Sequence, residues 1–484
     1  MNFKTLSALA ADLQAGGCSA QESVDHAIAR IEADGDAINA VVVRDFERAR
    51  AAAVAADRAL AEGDHRPLLG VPITVKEAIN VAGLPTTWGT PGTPATPVPE
   101  DAVAVQRLMQ AGAIVLGKAN VPVQLADWQA FNPIFGTTNN PWDPSRTPGG
   151  SSGGAAAALA AGYETLELGS DLNGSLRVPA SFCGVYGHKP TQGLVPLRGF
   201  SPPGVPVPPY QPDINFGVLG PLARSAGDLE IALRVLVGPE QPASRGYRFE
   251  LAASRHEALD RFRVLMLTDH PHLPLSKEVR TAMQTFTRRL REAGCTVATE
   301  SRQVPDLGRT ALLYATQLMA FFGADMPDDA YRQMQKAAPA APADASEGVE
   351  TSGMVITHRD WVRQERERLA LTNEWFGLLA QRDVIVCPVT PTTAFAHDHR
   401  PMAQRTLAID DKAIEYKSQA AWCSIASLAG LPATAMPIGL GSSGLPVSVQ
   451  ALGGYLEDLT TIRFAELCAS EFGGAQEPPL RAKK

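Results

Sequence analysis

Apolar residues recur at helical spacing over residues 6–13 and again over 24–31, the pattern of helices with one buried face. Ser19, with Glu22 three residues on, matches a capping box at the start of the second of these. The Ala-rich stretch 37–61 continues as helix, so residues 1–64 are expected to form a helical layer. The texture then changes to short apolar runs separated by amphipathic segments. Residues 71–75 predict a strand that delivers Lys76; 101–111 predict a helix, 114–116 a strand, 155–161 a helix of small residues and 165–168 a strand. This alternation predicts an α/β fold, a single large mixed and mostly parallel β-sheet covered by helices on both faces.

Past residue 200 the pattern loosens. Residues 200–212 are too rich in proline for regular structure throughout. Helices are expected at 226–237, 276–293, 361–379 and 457–472, and strands at 264–267, 295–298, 384–387, 433–437 and 447–452. Residues 337–348 are of low complexity and predict an exposed loop. No repeat recurs at a fixed period. The reading is one domain over 1–484: the helical layer 1–64, a core 65–235, a variable helical region 236–380, and strands with a final helix over 381–484 completing the sheet.

Composition narrows the function classes. At 45% hydrophobic and 19% charged residues, the 484-residue chain has the balance of a folded globular protein. A formal charge of −8 weighs against nucleic acid or an anionic membrane as partner. No apolar run reaches the length of a membrane span, and the first residues lack a secretion signal, so the cytoplasm is the expected compartment. Six cysteines lie scattered without paired spacing, which predicts buried free thiols and neither a disulfide framework nor a metal site.

The chemistry concentrates in TPGGSSGGAAAALAAG (147–162) and LGSDLNGSLRVPASFCGVYGHKPT (168–191), two clusters of Gly and Ser around one helix and one strand. Such turns allow close backbone approach, and their N–H groups can converge on an anion. A serine nucleophile needs a base. The nearby histidine is His188, but a lysine serves if burial strips its charge. Lys76 fits, because an apolar strand carries it inward, where a charge is costly.

These motifs resemble the amidase signature family, which uses a Ser–cis-Ser–Lys triad. The match rests on Gly70-Val71-Pro72 ahead of Lys76, on a complete Gly149-Gly150-Ser151-Ser152-Gly153-Gly154, and on Ser175 lying 24 residues after Ser151. Asn139-Asn140-Pro141-Trp142-Asp143-Pro144, Gly187-His188-Lys189-Pro190-Thr191, Gly220-Pro221-Leu222-Ala223-Arg224-Ser225 and Gly444-Leu445-Pro446-Val447 extend it over most of the chain. The resemblance implies Ser175 as nucleophile, Ser151 on a cis bond after Gly150 as relay, and Lys76 as neutral base. It implies an oxyanion hole from the N–H groups of Leu172, Asn173, Gly174 and Ser175. It implies hydrolysis of a small carboxamide to acid and ammonia or amine through an acyl-enzyme, with no cofactor and no metal. The alternatives are the glutaminase subunit of a tRNA-dependent amidotransferase and a catalytically silent binding subunit; the intact triad residues argue against the last. The expected partner is the small amide alone, without nucleic acid or membrane, leaving room for a homodimer.

The family usually has Gly where this chain has Asn173, a residue that tolerates positive φ. Its side chain is expected beside the acyl site, with Gln124, Trp128 and Phe131 as further substrate contacts and Trp88 and Phe200 as pocket walls. Ser170 stands where the family commonly has Thr. Ser152 is read as holding its turn, Asp171 and Arg177 as a buried brace, and His188 as structural. His270 and His272 lack companions for a metal. A rival reading takes residues 149–153 as a GxSxG nucleophile elbow, with Asp383 and His397 completing a triad; it leaves Ser175 and Lys76 unexplained.

Overall fold

The computed structural model describes residues 3–208, 215–324, 326–338 and 346–479. Its frame is an 11-stranded sheet. The strands are β1 (Val41–Arg44), β2 (Pro72–Lys76), β3 (Ile114–Ala119), β4 (Leu166–Asp171), β5 (Tyr186–Lys189), β6 (Val218–Ala223), β7 (Arg263–Met266), β8 (Thr296–Ala298), β9 (Val384–Pro388), β10 (Ala433–Leu440) and β11 (Pro446–Leu452). Their order is β1-β3-β2-β4-β6-β5-β10-β11-β9-β7-β8. Every residue of β2, β3, β4, β6, β9 and β11 is buried, because helices cover both faces.

The parallel pairings lie in two wings, β3–β2–β4 and β9–β7–β8. Between them β4, β6, β5, β10, β11 and β9 pair antiparallel, as does β1 at the edge. The sheet is thus mixed as expected, but parallel only in its wings. Sequence pattern missed β5 and β6, whose runs Tyr186-Gly187-His188-Lys189 and Val218-Leu219-Gly220-Pro221-Leu222-Ala223 carry glycine and proline inside. β5 meets β6 only at Tyr186–Ala223 and Gly187–Leu222, so Pro221 lies beyond that ladder.

The N-terminal layer is not wholly helical. Helix Ala20–Ile38 starts at the expected Ser19–Glu22 capping box and ends at Asn39, left-handed at φ 53°. Three consecutive valines then form β1 before helix Phe46–Ala61 resumes. β-branched side chains favour the extended pairing with β3 over continuation of the helix. Residues 200–208 hold no helix or strand, and 209–214 lie outside the described residues. Of the expected loop 337–348, residues 339–345 also lie outside them, while its two ends belong to helices Asp328–Ala337 and Ser346–Met354. β7 and β8, from the 236–380 region, complete the same sheet that carries the glycine-rich turns.

No helix among the described residues is long and apolar enough to cross a membrane. All six cysteines are buried free thiols. Helix Gly153–Ala160 is buried along its whole length. A Cβ on Gly154 would lie 2.3 Å from the Asn120 nitrogen, so only glycine lets this helix start against the sheet.

Candidate active site

Three elements carry the candidate groups. β2 ends on Lys76, the turn before helix Gly153–Ala160 carries Ser151 and Ser152, and the turn between β4 and helix Arg177–Cys183 carries Ser175. Lys76 is completely buried. Its Nζ lies 2.7 Å from Ser151 Oγ, 2.9 Å from Ser170 Oγ and 3.0 Å from Ser152 Oγ. Burial lowers its pKa to about 7, against the opposing pull of the Asp171 and Glu167 carboxyls. The hydroxyl kept at Ser170 is therefore used, and Ser152 contacts the amine besides holding its turn.

The Gly150–Ser151 peptide bond is cis. A Cβ on Gly150 would meet Gln129 O at 2.4 Å and Asp127 O at 2.5 Å, so the 127–129 strap presses directly on this turn. That strap is anchored in turn. Asp127 accepts from Tyr416 Oη at 2.7 Å and from Arg405 Nη1 at 2.5 Å, and Gln129 exchanges hydrogen bonds with the Asp398 backbone.

Ser175 is 8% exposed, and its carbonyl accepts the Ser152 N–H at 3.1 Å, which ties the two serine turns together. Asp171 organises the second turn. Its Oδ1 accepts from Gly174 N–H (2.8 Å) and Arg177 Nη2 (3.0 Å), and its Oδ2 from Leu176 N–H (3.1 Å) and Arg177 Nε (3.0 Å). Burial alone would raise the Asp171 carboxyl, but the Arg177 guanidinium overrides it and holds the pKa at about 2. Arg177 also donates to Cys423 O, Gln450 Oε1 and Ser427 Oγ. The pair is fully buried and braces the loop, as expected.

Two expectations for this turn need correction. Positive φ falls on Gly174 (84°), not on Asn173, and a Cβ there would lie 2.6 Å from Cys423 Sγ. The Gly174 N–H is committed to Asp171, so it is not a free oxyanion donor. The N–H groups of Leu172, Asn173 and Ser175 meet no protein acceptor among the described residues. The carbonyls of the turn point the other way: Leu172 O accepts from Tyr314 Oη at 2.7 Å and Asn173 O from Trp128 Nε1 at 3.0 Å. Asn173 Oδ1 is buried without a hydrogen-bond partner.

The expected substrate contacts separate. Trp128 is 9% exposed and spends its indole N–H on the Asn173 carbonyl, so it buttresses the turn. Gln124 is exposed on a short 3-10 turn, its N–H bound to Trp88 O. Phe131 is half-buried against the His399 ring (4.3 Å) and the Arg405 guanidinium (5.5 Å). Trp88 and Phe200 stack on each other at 5.3 Å. His188 is buried between Thr434 Oγ1 (2.9 Å) and Asp458 Oδ1 (3.0 Å), a structural role.

The rival elbow triad is not assembled. Asp383 is taken by Arg263 and Arg255, while His397 Nε2 faces the Pro144 carbonyl at 3.3 Å. Among the described residues no group of three or more His, Cys, Asp or Glu side chains could hold a metal. Tyr314, Cys423, Ser427 and Gln450 all support the serine turn and escaped sequence reading. They come from segments without a motif, and only the fold brings them near residues 171–177.

A family profile described as Amidase matches residues 22–462. The chain is 33% identical to one of the subunits of the glutamyl-tRNA(Gln) amidotransferase of Deinococcus deserti, over 95% of each protein. It is 32% identical to the putative amidase AmiB2 of Mycobacterium tuberculosis, over 96% of this chain and 95% of that one. The crystal structure of a bacterial aryl acylamidase of the amidase signature family superimposes with a TM-score of 0.81. That likeness of fold, at 22% identity, covers 100% of this chain and 99% of the other.

Proposed function

Because this chain belongs to the amidase family and is an amide-hydrolysing enzyme, we propose that it hydrolyses a small carboxamide through an acyl-enzyme on Ser175. The observation that carries this reading is a fully buried Lys76 whose Nζ, among the described residues, hydrogen-bonds only to hydroxyls and sits 2.7 Å from Ser151 Oγ. With burial bringing its pKa to about 7, the amine is neutral in mildly alkaline solution and can take a proton.

As Ser175 Oγ bonds to the amide carbon, its proton passes to Ser151 Oγ, and the proton of Ser151 passes to Lys76 Nζ. The carbonyl oxygen becomes an oxyanion that accepts from the N–H groups of Leu172, Asn173 and Ser175. One such donor is worth roughly 3–4 kcal/mol of barrier. The C–N bond then breaks as the relay returns a proton to the leaving nitrogen. Water enters, loses a proton to the same relay, and cleaves the Ser175 ester to release the acid.

The test is ammonia release by the purified chain from aliphatic, aryl and amino-acid amides, with fluorophosphonate labelling in parallel. Wild-type protein should turn over simple amides and label at Ser175, and Ser175→Ala should do neither. Label found on Ser151 would overturn the assignment. A second reading, the glutaminase subunit of a tRNA-dependent amidotransferase, is favoured by the 33% identity to a subunit of one such enzyme. Activity confined to glutamine and dependent on added partner subunits would establish it in place of the first.

A further inference from the structure

The turn 172–174 contains two consecutive peptide groups that are held from outside. In the Asn173–Gly174 peptide, the carbonyl accepts from Trp128 Nε1 and the N–H donates to Asp171 Oδ1, so both ends are occupied. In the Leu172–Asn173 peptide, the carbonyl accepts from Tyr314 Oη at 2.7 Å, while the Asn173 N–H meets no protein acceptor among the described residues. A trans peptide is planar with its C=O and N–H opposed, so anchoring the carbonyl fixes where the N–H points.

We propose that Tyr314 is a positioning residue of the oxyanion hole, holding the Leu172–Asn173 peptide so that the Asn173 N–H faces the reacting carbonyl oxygen. This inference rests on the amide-hydrolysis reading above. A hydrogen bond accepted by Leu172 O also polarises the peptide and strengthens its N–H as a donor. Tyr314 is built for a fixed position. It is 1% exposed on helix Leu307–Gly323, its ring lies 5.0 Å from that of Phe216, and Leu172 packs against the same apolar cluster. Burial and the nearby Asp171 charge hold its phenol well above the ordinary value, so the hydroxyl keeps its proton and stays a donor.

The test is Tyr314→Phe, which keeps the ring and removes the hydroxyl. Its kcat should fall about 10- to 100-fold, part of the loss seen when a whole oxyanion donor is removed, with KM changed by less than about twofold. Labelling by a fluorophosphonate should slow by the same factor, because a phosphoryl oxygen takes the oxyanion position. Phe216→Leu loosens the packing that fixes the same ring but keeps the hydroxyl, and should slow labelling by less than Tyr314→Phe. It keeps the proposal testable even where Tyr314→Phe does not fold. A labelling loss in Phe216→Leu equal to that expected of Tyr314→Phe overturns the hydroxyl's role, as does Tyr314→Phe with wild-type kcat and labelling. Ser175→Ala assayed alongside separates the two levels. An active Ser175→Ala sinks the underlying reading, whereas an inactive one beside a fully active Tyr314→Phe sinks only this inference.

Discussion

Replacing Lys76 by methionine should abolish turnover while changing how stability depends on pH. Methionine matches the lysine stem and has no amine. In the folded chain Lys76 loses its proton near pH 7, because burial penalises the ammonium; unfolded, it does so near its ordinary 10.5. Between those values the unfolded chain holds one more proton, so wild-type stability rises with pH across that window. The rise is about 1.4 kcal/mol per pH unit, hence roughly 3 kcal/mol from about pH 7 to about pH 9. Below about pH 7 both states carry the proton and the full penalty, about 5 kcal/mol, opposes folding. Lys76→Met lacks this dependence but also loses three hydrogen bonds to Ser151, Ser152 and Ser170, each worth about 1 kcal/mol. The variant should therefore be the more stable protein near neutrality, by a margin that shrinks as the pH rises. Urea unfolding followed by tryptophan fluorescence at several pH values measures this, since other titrating groups are common to both chains. Parallel stability curves for the two proteins would refute the buried-neutral lysine.

The rate should follow the same group. Turnover limited by chemistry should climb as pH rises through about 7 and then level off as Lys76 becomes neutral; a rate constant from about pH 5 to pH 9 would exclude Lys76 as the base. Asp171→Asn should destabilise the fold by about 3–5 kcal/mol, because it strands the Arg177 guanidinium in a fully buried site. A urea midpoint equal to that of the wild type would contradict that role. Asp171 titrates near 2 in the fold, below its ordinary 3.8, so its contribution is present above about pH 4 and is lost as the pH falls toward 2.

Much of the site could be read before the fold was known. Lys76 was legible because an apolar strand ends on it, and Ser151 and Ser175 because their two glycine-rich turns resemble the amidase signature in motif and spacing. The Asp171–Arg177 brace followed from two opposite charges six residues apart in the same buried loop. Asn173 was legible as unusual but not in its conformation; the neighbouring Gly174, packed on Cys423, takes the positive φ instead. The fold was clearest where apolar runs were unbroken, as in β2 and β9, and least clear in β5 and β6, whose glycine and proline read as loop. β1 was hidden because its valines sit between two helices rich in alanine. Tyr314 and Trp128 carry no local signal of their roles. Each is an ordinary buried aromatic until tertiary packing sets its polar atom against a particular carbonyl.

The hydroxyls around Lys76 also decide how the site responds to its surroundings. Asp171 is cancelled by Arg177, and burial pushes the Glu167 carboxyl, which accepts from Thr74 Oγ1, well above its usual range. Above about pH 7 the Lys76 amine is neutral, so the hydroxyls around it present dipoles, and the Asp171–Arg177 pair beside them carries no net charge. Dissolved ions screen fields between charges and have little to act on here. Such a centre neither attracts nor repels a substrate from a distance, and it treats an uncharged amide in dilute buffer and in concentrated salt alike. Its selectivity is exercised only on contact.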